Sequence, residues 1–114
     1  MFIDGWYLAS EDASCTDACN KHNLECSEKE FYKHNGDVDS SDEVLNLVEK
    51  LGGKTSATWC TDTYGQSPSV PGINPEKCSH SAPKRSILTF ECDSTPSPKY
   101  EKKQRLCWCN ASGK

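Results

Sequence analysis

Eight cysteines constrain this chain more than any other feature. They follow the spacing C-x3-C-x6-C-x33-C-x17-C-x13-C-x14-C-x-C, and only 34% of the 114 residues are hydrophobic. An even number of cysteines at this density is typical of small secreted domains, in which disulfides replace part of a hydrophobic core. We therefore predict that all eight are disulfide-bonded in an oxidising compartment: Cys15, Cys19, Cys26, Cys60, Cys78, Cys92, Cys107 and Cys109.

Zinc ligation and thiol catalysis are the alternatives for these cysteines. Structural zinc sites usually combine two short Cys/His pairs, and here only C-x3-C and C-x-C come close. His22, His34 and His80 are available as nitrogen ligands, but they complete no four-ligand unit of familiar spacing. The C-x-x-C motif of redox proteins is absent, and full pairing leaves no free thiol as a nucleophile. We expect neither a metal nor a cofactor.

Other catalytic and metal-binding patterns are equally weak. The stretch from Asn35 to Glu43 resembles a calcium loop. Counted from Asp37, however, it lacks the glycine at position 6, and Val48 occupies the twelfth position, where a glutamate is needed. The sequence contains no G-x-S-x-G motif, and a carboxylate pair cannot be recognised from sequence alone. We expect a protein without enzymatic activity.

Length predicts one domain spanning residues 1–114, with its compact part at about 4–110. No apolar run is long enough to cross a membrane, so we expect no direct membrane insertion. The N-terminus does not read as a secretory signal, whereas the cysteines indicate secretion. We therefore expect a segment of a larger ectodomain, located outside the cell or in the lumen of the secretory pathway, with cell-surface attachment through a parent protein as one arrangement.

The formal net charge of −4 argues against binding to nucleic acid or to an anionic membrane surface. Residues 1–62 carry 13 acidic and 5 basic side chains, while residues 63–114 carry 4 acidic and 8 basic ones. One interpretation is a solvated surface whose halves attract weakly. The other is a basic strip for an acidic partner, formed by Lys99, Lys102, Lys103 and Arg105.

Three capping serines predict three short helices. Ser14 is followed three residues later by an acid, and the helix should run to about His22. Ser27 and Ser40 repeat this pattern, the latter ahead of a helix over Asp42–Leu51 whose apolar stripe should face the core. Asn23, Asn35-Gly36 and Gly52-Gly53 are suitable stop signals.

Alternation predicts strands over Asp4–Ser10, Ser86–Asp93 and Gln104–Asn110, the last two paired antiparallel. Cys107 and Cys109 then share one face of the last strand, where they are placed to form disulfides with Cys15 and Cys19 of the first helix. Cys60 with Cys78 is the preferred local closure, although eight cysteines allow 105 pairings. The predicted fold is α+β: a small disulfide-rich domain with two or three short helices on a two- or three-stranded antiparallel sheet.

Two polar, proline-bearing loops are candidate recognition surfaces, Thr61–Pro83 and Ser94–Lys103. Tyr64 and Tyr100 lie in them and are the preferred contact residues. Trp59 and Trp108, next to cysteines, are interpreted instead as packing against disulfides. Asn110 begins an N-glycosylation sequon and is predicted to carry a glycan.

The cysteine-bearing segments resemble a known family. An SCTD-x-C opening at Ser14–Cys19, an L-x-C at Leu24–Cys26, an L-x-F-x-C at Leu88–Cys92 and an R-x-C-x-C at Arg105–Cys109 occur in the order found in the cysteine-rich C-terminal region of N-acetylglucosaminyltransferase V. That family has a proline between its last two cysteines and further cysteines downstream. The resemblance implies a lumenal or extracellular disulfide-bonded module. It carries no catalytic residue to this chain, which lacks the nucleotide-sugar-binding fold.

These observations favour an extracellular recognition or adhesion module that binds a protein or glycan through its two loops. A non-catalytic accessory segment of a secretory-pathway glycosyltransferase-like protein is one alternative. A secreted effector or inhibitor is another.

Overall fold

The computed structural model describes residues 3–97 and 101–111. Tyr100 and Lys99, two of the predicted contact residues, lie outside the described part of the chain. Three helices, α1 (Cys15–Asn20), α2 (Glu28–Lys33) and α3 (Ser41–Lys50), pack around a sheet of five short strands. The strands are β1 (Gly5–Leu8), β2 (Leu24–Cys26), β3 (Gly72–Ile73), β4 (Cys78–Ser79) and β5 (Gln104–Ala111). The small disulfide-rich α+β fold is confirmed, with more strands than expected.

The central strand is β5, and every neighbour runs antiparallel to it. Cys109 is opposite Gly5 of β1 and also opposite Cys26 of β2, so these two strands occupy opposite edges of β5. On the same edge of β5 as β2, strand β3 pairs with the first residues of β5. Strand β4 pairs with the other edge of β3. Both edges of β5 are therefore occupied.

Each helix begins where the sequence predicted. The hydroxyls of Ser14, Ser27 and Ser40 accept hydrogen bonds from backbone N–H groups three residues later, which satisfies an otherwise free helical donor. Asn23 follows α1 with φ 58°, and Gly52 follows α3 with φ 80°; both are left-handed conformations that end a helix. No helix in the described ranges is long and apolar enough to cross a bilayer.

Four disulfides join the elements. Cys15 and Cys19 of α1 bond to Cys107 and Cys109 of β5, as predicted. The predicted local closure between Cys60 and Cys78 is also confirmed. The remaining bond links Cys26 to Cys92.

The apolar interior is divided into two clusters, of which the first contains two disulfides and the second contains one. One lies between α1, α2 and β5, around Phe31; the other lies under α3, around Val44, Val48 and Leu106. Trp6 packs against both clusters. Leu45, Leu47 and Leu51 of α3 pack against the second cluster, so the predicted core stripe is confirmed.

The predicted strand over Ser86–Asp93 is wrong. Ile87–Thr89 forms a 3-10 helix, and its Leu88 is 87% exposed. The hydroxyl of Ser86 accepts a hydrogen bond from the Leu88 N–H, which favours a tight turn over an extended chain. Pairing with β5 is impossible in any case, because β1, β2 and β3 occupy its edges.

Candidate functional site

Trp59 is the largest exposed aromatic side chain of the described residues, with 65% of its surface accessible. Its predicted packing against a disulfide is therefore wrong. Tyr64, 48% exposed, lines the same open groove of about 480 Å³. We call this the Trp59 groove; its wall also includes Ser56, Thr58, Thr61, Thr63, Glu76 and Lys77.

The two walls of the Trp59 groove are fixed to each other by the backbone. The Ser56 N–H donates to the Pro75 carbonyl at 2.8 Å, and the Thr61 N–H donates to the Cys78 carbonyl at 2.9 Å. The Cys60–Cys78 disulfide crosses between the same two segments. The Cys60 N–H also donates to the Ser41 hydroxyl at 2.7 Å, which ties the groove to α3. The aromatic side chains thus stand on a scaffold that is ordered before any ligand arrives.

A smaller cavity of about 110 Å³ adjoins the groove and shares Thr61, Tyr64 and Lys77 with it. Ser67 and Ser69 line this cavity, and their hydroxyls lie 3.2 Å apart. Lys103, only 8% exposed, also lines it, and its ammonium donates to the Ser69 hydroxyl at 3.3 Å. We call this space the Lys103 cavity.

Burial, followed by repulsion from Arg105, lowers the pKa of Lys103 from 10.5 to about 8. Arg105 itself is fully buried, and its guanidinium donates to the carbonyls of Glu91 and Ser94. Burial lowers the pKa of Arg105 below its ordinary value, to about 10, against the attraction of the Glu91 carboxylate. Lys103 and Arg105 are thus both buried cations, and of the two Lys103 lines the cavity.

The predicted exposed basic strip does not extend to Lys103 or Arg105, because both side chains are buried. Arg105 lies in the central strand β5, on the face it shares with Cys107 and Cys109, and that face is covered. Lys102 is exposed. Tyr64 is where the sequence placed it, on an accessible loop.

The long segment predicted as a loop over Thr61–Pro83 is only partly irregular. It contains β3 and β4, and Val70 and Ile73 are buried within it. Arg85 holds its middle in place through hydrogen bonds to the carbonyls of Ser67 and Val70. Ser67 and Ser69 consequently line the cavity instead of extending into solvent.

The histidines are dispersed. His34 stacks on Trp108 with ring centroids 3.4 Å apart, and Trp108 packs against the cluster that contains two of the disulfides. His22 lies against Tyr7, while His80 contacts the Ser81 carbonyl. Within residues 3–97 and 101–111, no three His, Cys, Asp or Glu side chains are grouped to hold a metal ion.

Asn110 lies in β5 opposite Glu25 of β2 and is partly buried. Ser112, which completes its sequon, is outside the described residues, and glycosylation at Asn110 stays a prediction.

Comparison with models of protein families and with curated protein sequences finds no match for this chain. The resemblance to the N-acetylglucosaminyltransferase V region therefore stays a prediction from the cysteine-bearing segments.

Proposed function

We propose that this chain is a non-catalytic glycan-binding module of the extracellular space or the secretory lumen, with the Trp59 groove as its ligand site. One observation carries the proposal: Trp59 and Tyr64 are both largely exposed and line the same groove. An indole and a phenol offer flat apolar faces on which the apolar face of a sugar ring can rest. The four disulfides suit the oxidising compartment in which extracellular glycans occur.

The polar wall of the groove supports the same assignment. Ser56, Thr58, Thr63 and Glu76 line the groove together with the two aromatic residues, and their side chains carry hydroxyl groups and a carboxylate. Sugars present hydroxyl groups around an apolar ring face, and a binding site therefore needs aromatic surface bordered by donors and acceptors. This groove combines both.

The rigid scaffold favours useful affinity for a small ligand. Ordering a loop on binding costs free energy, which offsets part of the attraction between the protein and its ligand. In this groove the Cys60–Cys78 disulfide and the backbone hydrogen bonds between the walls order both segments during folding. Thr61 and Ser79 additionally form a bridge between the same two segments. Little further ordering is therefore needed when a ligand binds.

The test compares exposed aromatic residues inside the groove with exposed apolar residues outside it. Binding of neutral and acidic oligosaccharides is measured by calorimetry and by quenching of tryptophan fluorescence. Trp59→Ala and Tyr64→Ala should each weaken binding by about tenfold or more, the equivalent of about 1.4 kcal/mol. Tyr32→Ala and Leu88→Ala remove side chains that are 44% and 87% exposed but lie outside the groove, and should leave binding unchanged.

Thermal denaturation confirms that each variant is folded before its affinity is interpreted. Absence of binding to every oligosaccharide, or binding that tolerates both groove substitutions, would contradict the proposal.

A further inference from the structure

The Lys103 cavity lies beside the Trp59 groove, and Tyr64, Thr61 and Lys77 belong to both. A ligand resting on the aromatic rings can therefore extend a substituent into the cavity without leaving the groove. The volume of the cavity is about 110 Å³. A cavity of about 10–15 Å³ can hold one water molecule, so this cavity has room for a group of several heavy atoms.

The charged residues in the described lining of the Lys103 cavity are cations. Among its described lining residues, only Lys77 and Lys103 are charged, and both are cations. Lys77 is exposed at the rim, whereas Lys103 is nearly buried with its ammonium against the Ser69 hydroxyl. A partly desolvated ammonium interacts more strongly with an anion than a solvated one does.

Serine side chains among the lining residues are suited to an oxyanion. Ser67, Ser69 and Ser79 line the cavity, and a serine hydroxyl can donate a hydrogen bond to a negatively charged oxygen. The hydroxyls of Ser67 and Ser69 lie 3.2 Å apart, so one of them donates to the other and the pair has one hydroxyl donor left for a ligand. The backbone there is closely packed: a Cβ on Gly72 would lie 2.7 Å from the Gln104 carbonyl and 3.2 Å from Cε of Lys103. Glycine thus lets β3 approach β5 and allows the lysine stem to lie along the cavity wall.

We propose that the Lys103 cavity receives the anionic group of an acidic glycan, a uronate carboxylate or a sulfate ester, while the sugar ring rests in the Trp59 groove. The inference rests on the proposed function and adds the class of glycan that the module selects. Lys103 is the specificity-determining residue, because it supplies the cation inside the cavity.

The test uses three probes of equal length with the complete chain at pH 6.5: an oligogalacturonate, a sulfated oligosaccharide and a neutral oligosaccharide. A charge-assisted hydrogen bond contributes about 1.5–3 kcal/mol, so at least one acidic probe should bind about 10- to 100-fold more tightly than the neutral one. Lys103→Met should remove that preference, so that the acidic and neutral probes bind with similar affinity. Lys102→Met deletes the neighbouring exposed charge outside the cavity and should preserve the preference. The two acidic probes distinguish a carboxylate from a sulfate as the recognised group.

A second measurement needs no substitution. Free glucuronate and inorganic sulfate are titrated into the wild-type chain while the side-chain NMR signals of Lys103 are followed. Saturable shifts at Lys103, weakening as pH rises past about 8 and the ammonium loses its proton, are the expected result.

The outcomes separate the two proposals. Equal affinity for neutral and acidic probes, unaffected by Lys103→Met, would overturn the acidic preference and leave glycan binding standing. Failure of every probe to bind would overturn the glycan assignment. The titration with small anions would then show whether the Lys103 cavity binds an anion without a sugar. Unshifted Lys103 signals with both small anions would overturn the anion site.

Discussion

The guanidinium carbon of Arg85 lies 3.8 Å from the centre of the Phe90 ring, so a cation covers an aromatic face inside the protein. The same guanidinium makes five hydrogen bonds, to the carbonyls of Ser67, Val70 and Thr89 and to the hydroxyls of Ser81 and Thr89. Arg85 therefore connects the irregular segment before it with the 3-10 helix after it.

Arg85→Met should lower the free energy of unfolding by about 3 kcal/mol or more. Methionine retains the apolar stem, but three carbonyls lose a hydrogen bond, although that of Ser67 still accepts one from the Val70 N–H. Each buried unsatisfied group costs about 1–3 kcal/mol. Urea denaturation measures the effect. Lys84→Met removes the charge of the exposed neighbouring residue and serves as the control. Equal denaturation midpoints for the two variants would show that Arg85 does not hold this segment.

Gly65→Ala should destabilise the fold by roughly 1–3 kcal/mol, because a well-packed site must shift to admit a methyl group. A Cβ at Gly65 would lie 2.8 Å from the backbone nitrogen of Ala82. At Gly36 a Cβ would meet nothing within 4 Å, so Gly36→Ala should change stability by about 0.5 kcal/mol or less. Calorimetric melting temperatures of both variants check this. An unchanged melting temperature for Gly65→Ala would disprove the close approach of Gly65 to the Ala82 backbone.

Removal of the Cys26–Cys92 bond should destabilise the protein more than removal of Cys15–Cys107, although their sequence separations are 66 and 92. When the Cys19–Cys109 bond is intact, the chain is already linked close to Cys15 and Cys107. The Cys15–Cys107 bond then closes a short loop, made of the five residues from 15 to 19 and the three from 107 to 109. Cys26–Cys92 closes a larger loop, the eight residues from 19 to 26 and the 18 from 92 to 109.

Loop-closure entropy grows with loop length, and the difference between these loops amounts to about 1 kcal/mol. Paired cysteine-to-alanine variants compared by urea denaturation test this order. The reverse order would mean that native-state packing, and not restriction of the unfolded chain, dominates the contribution of these disulfides.

The pH dependence of stability should reflect Lys103. Because the pKa of Lys103 is about 8 in the folded protein, below its ordinary 10.5, the folded state releases this proton first as pH rises. The contribution of Lys103 to stability should therefore increase between pH 8 and 10.5. The free energy of unfolding of Lys103→Met relative to wild type should decline over that interval. A constant difference would show that the ammonium is not desolvated in the folded protein.

Local chemistry made much of this fold predictable from sequence. The helix starts at Ser14, Ser27 and Ser40 depend on contacts within four residues, and such contacts can be recognised without knowing the rest of the chain. The Cys60–Cys78 closure is local in the same sense. Strands β3 and β4, of two residues each, are too short for alternation to reveal.

The site was less predictable, because side-chain exposure there depends on distant partners. Trp59 and Trp108 both lie beside cysteines, yet Trp59 is exposed while Trp108 stacks on His34. Nothing within a few residues of Lys103 indicates that the segment containing Ser69 covers it. Arg105 follows strand alternation, but which face of β5 is covered depends on helix α1, some 90 residues earlier.

The position of β5 has a consequence for biogenesis. The strand that pairs with β1, β2 and β3 is the last of these elements to be synthesised, so the sheet cannot form until residues 104–111 have emerged. Until then Cys15 and Cys19 lack their partners and face each other across one helical turn. Correct pairing of Cys15 and Cys19 therefore requires either that they stay reduced until β5 has been synthesised or that a premature bond between them is isomerised.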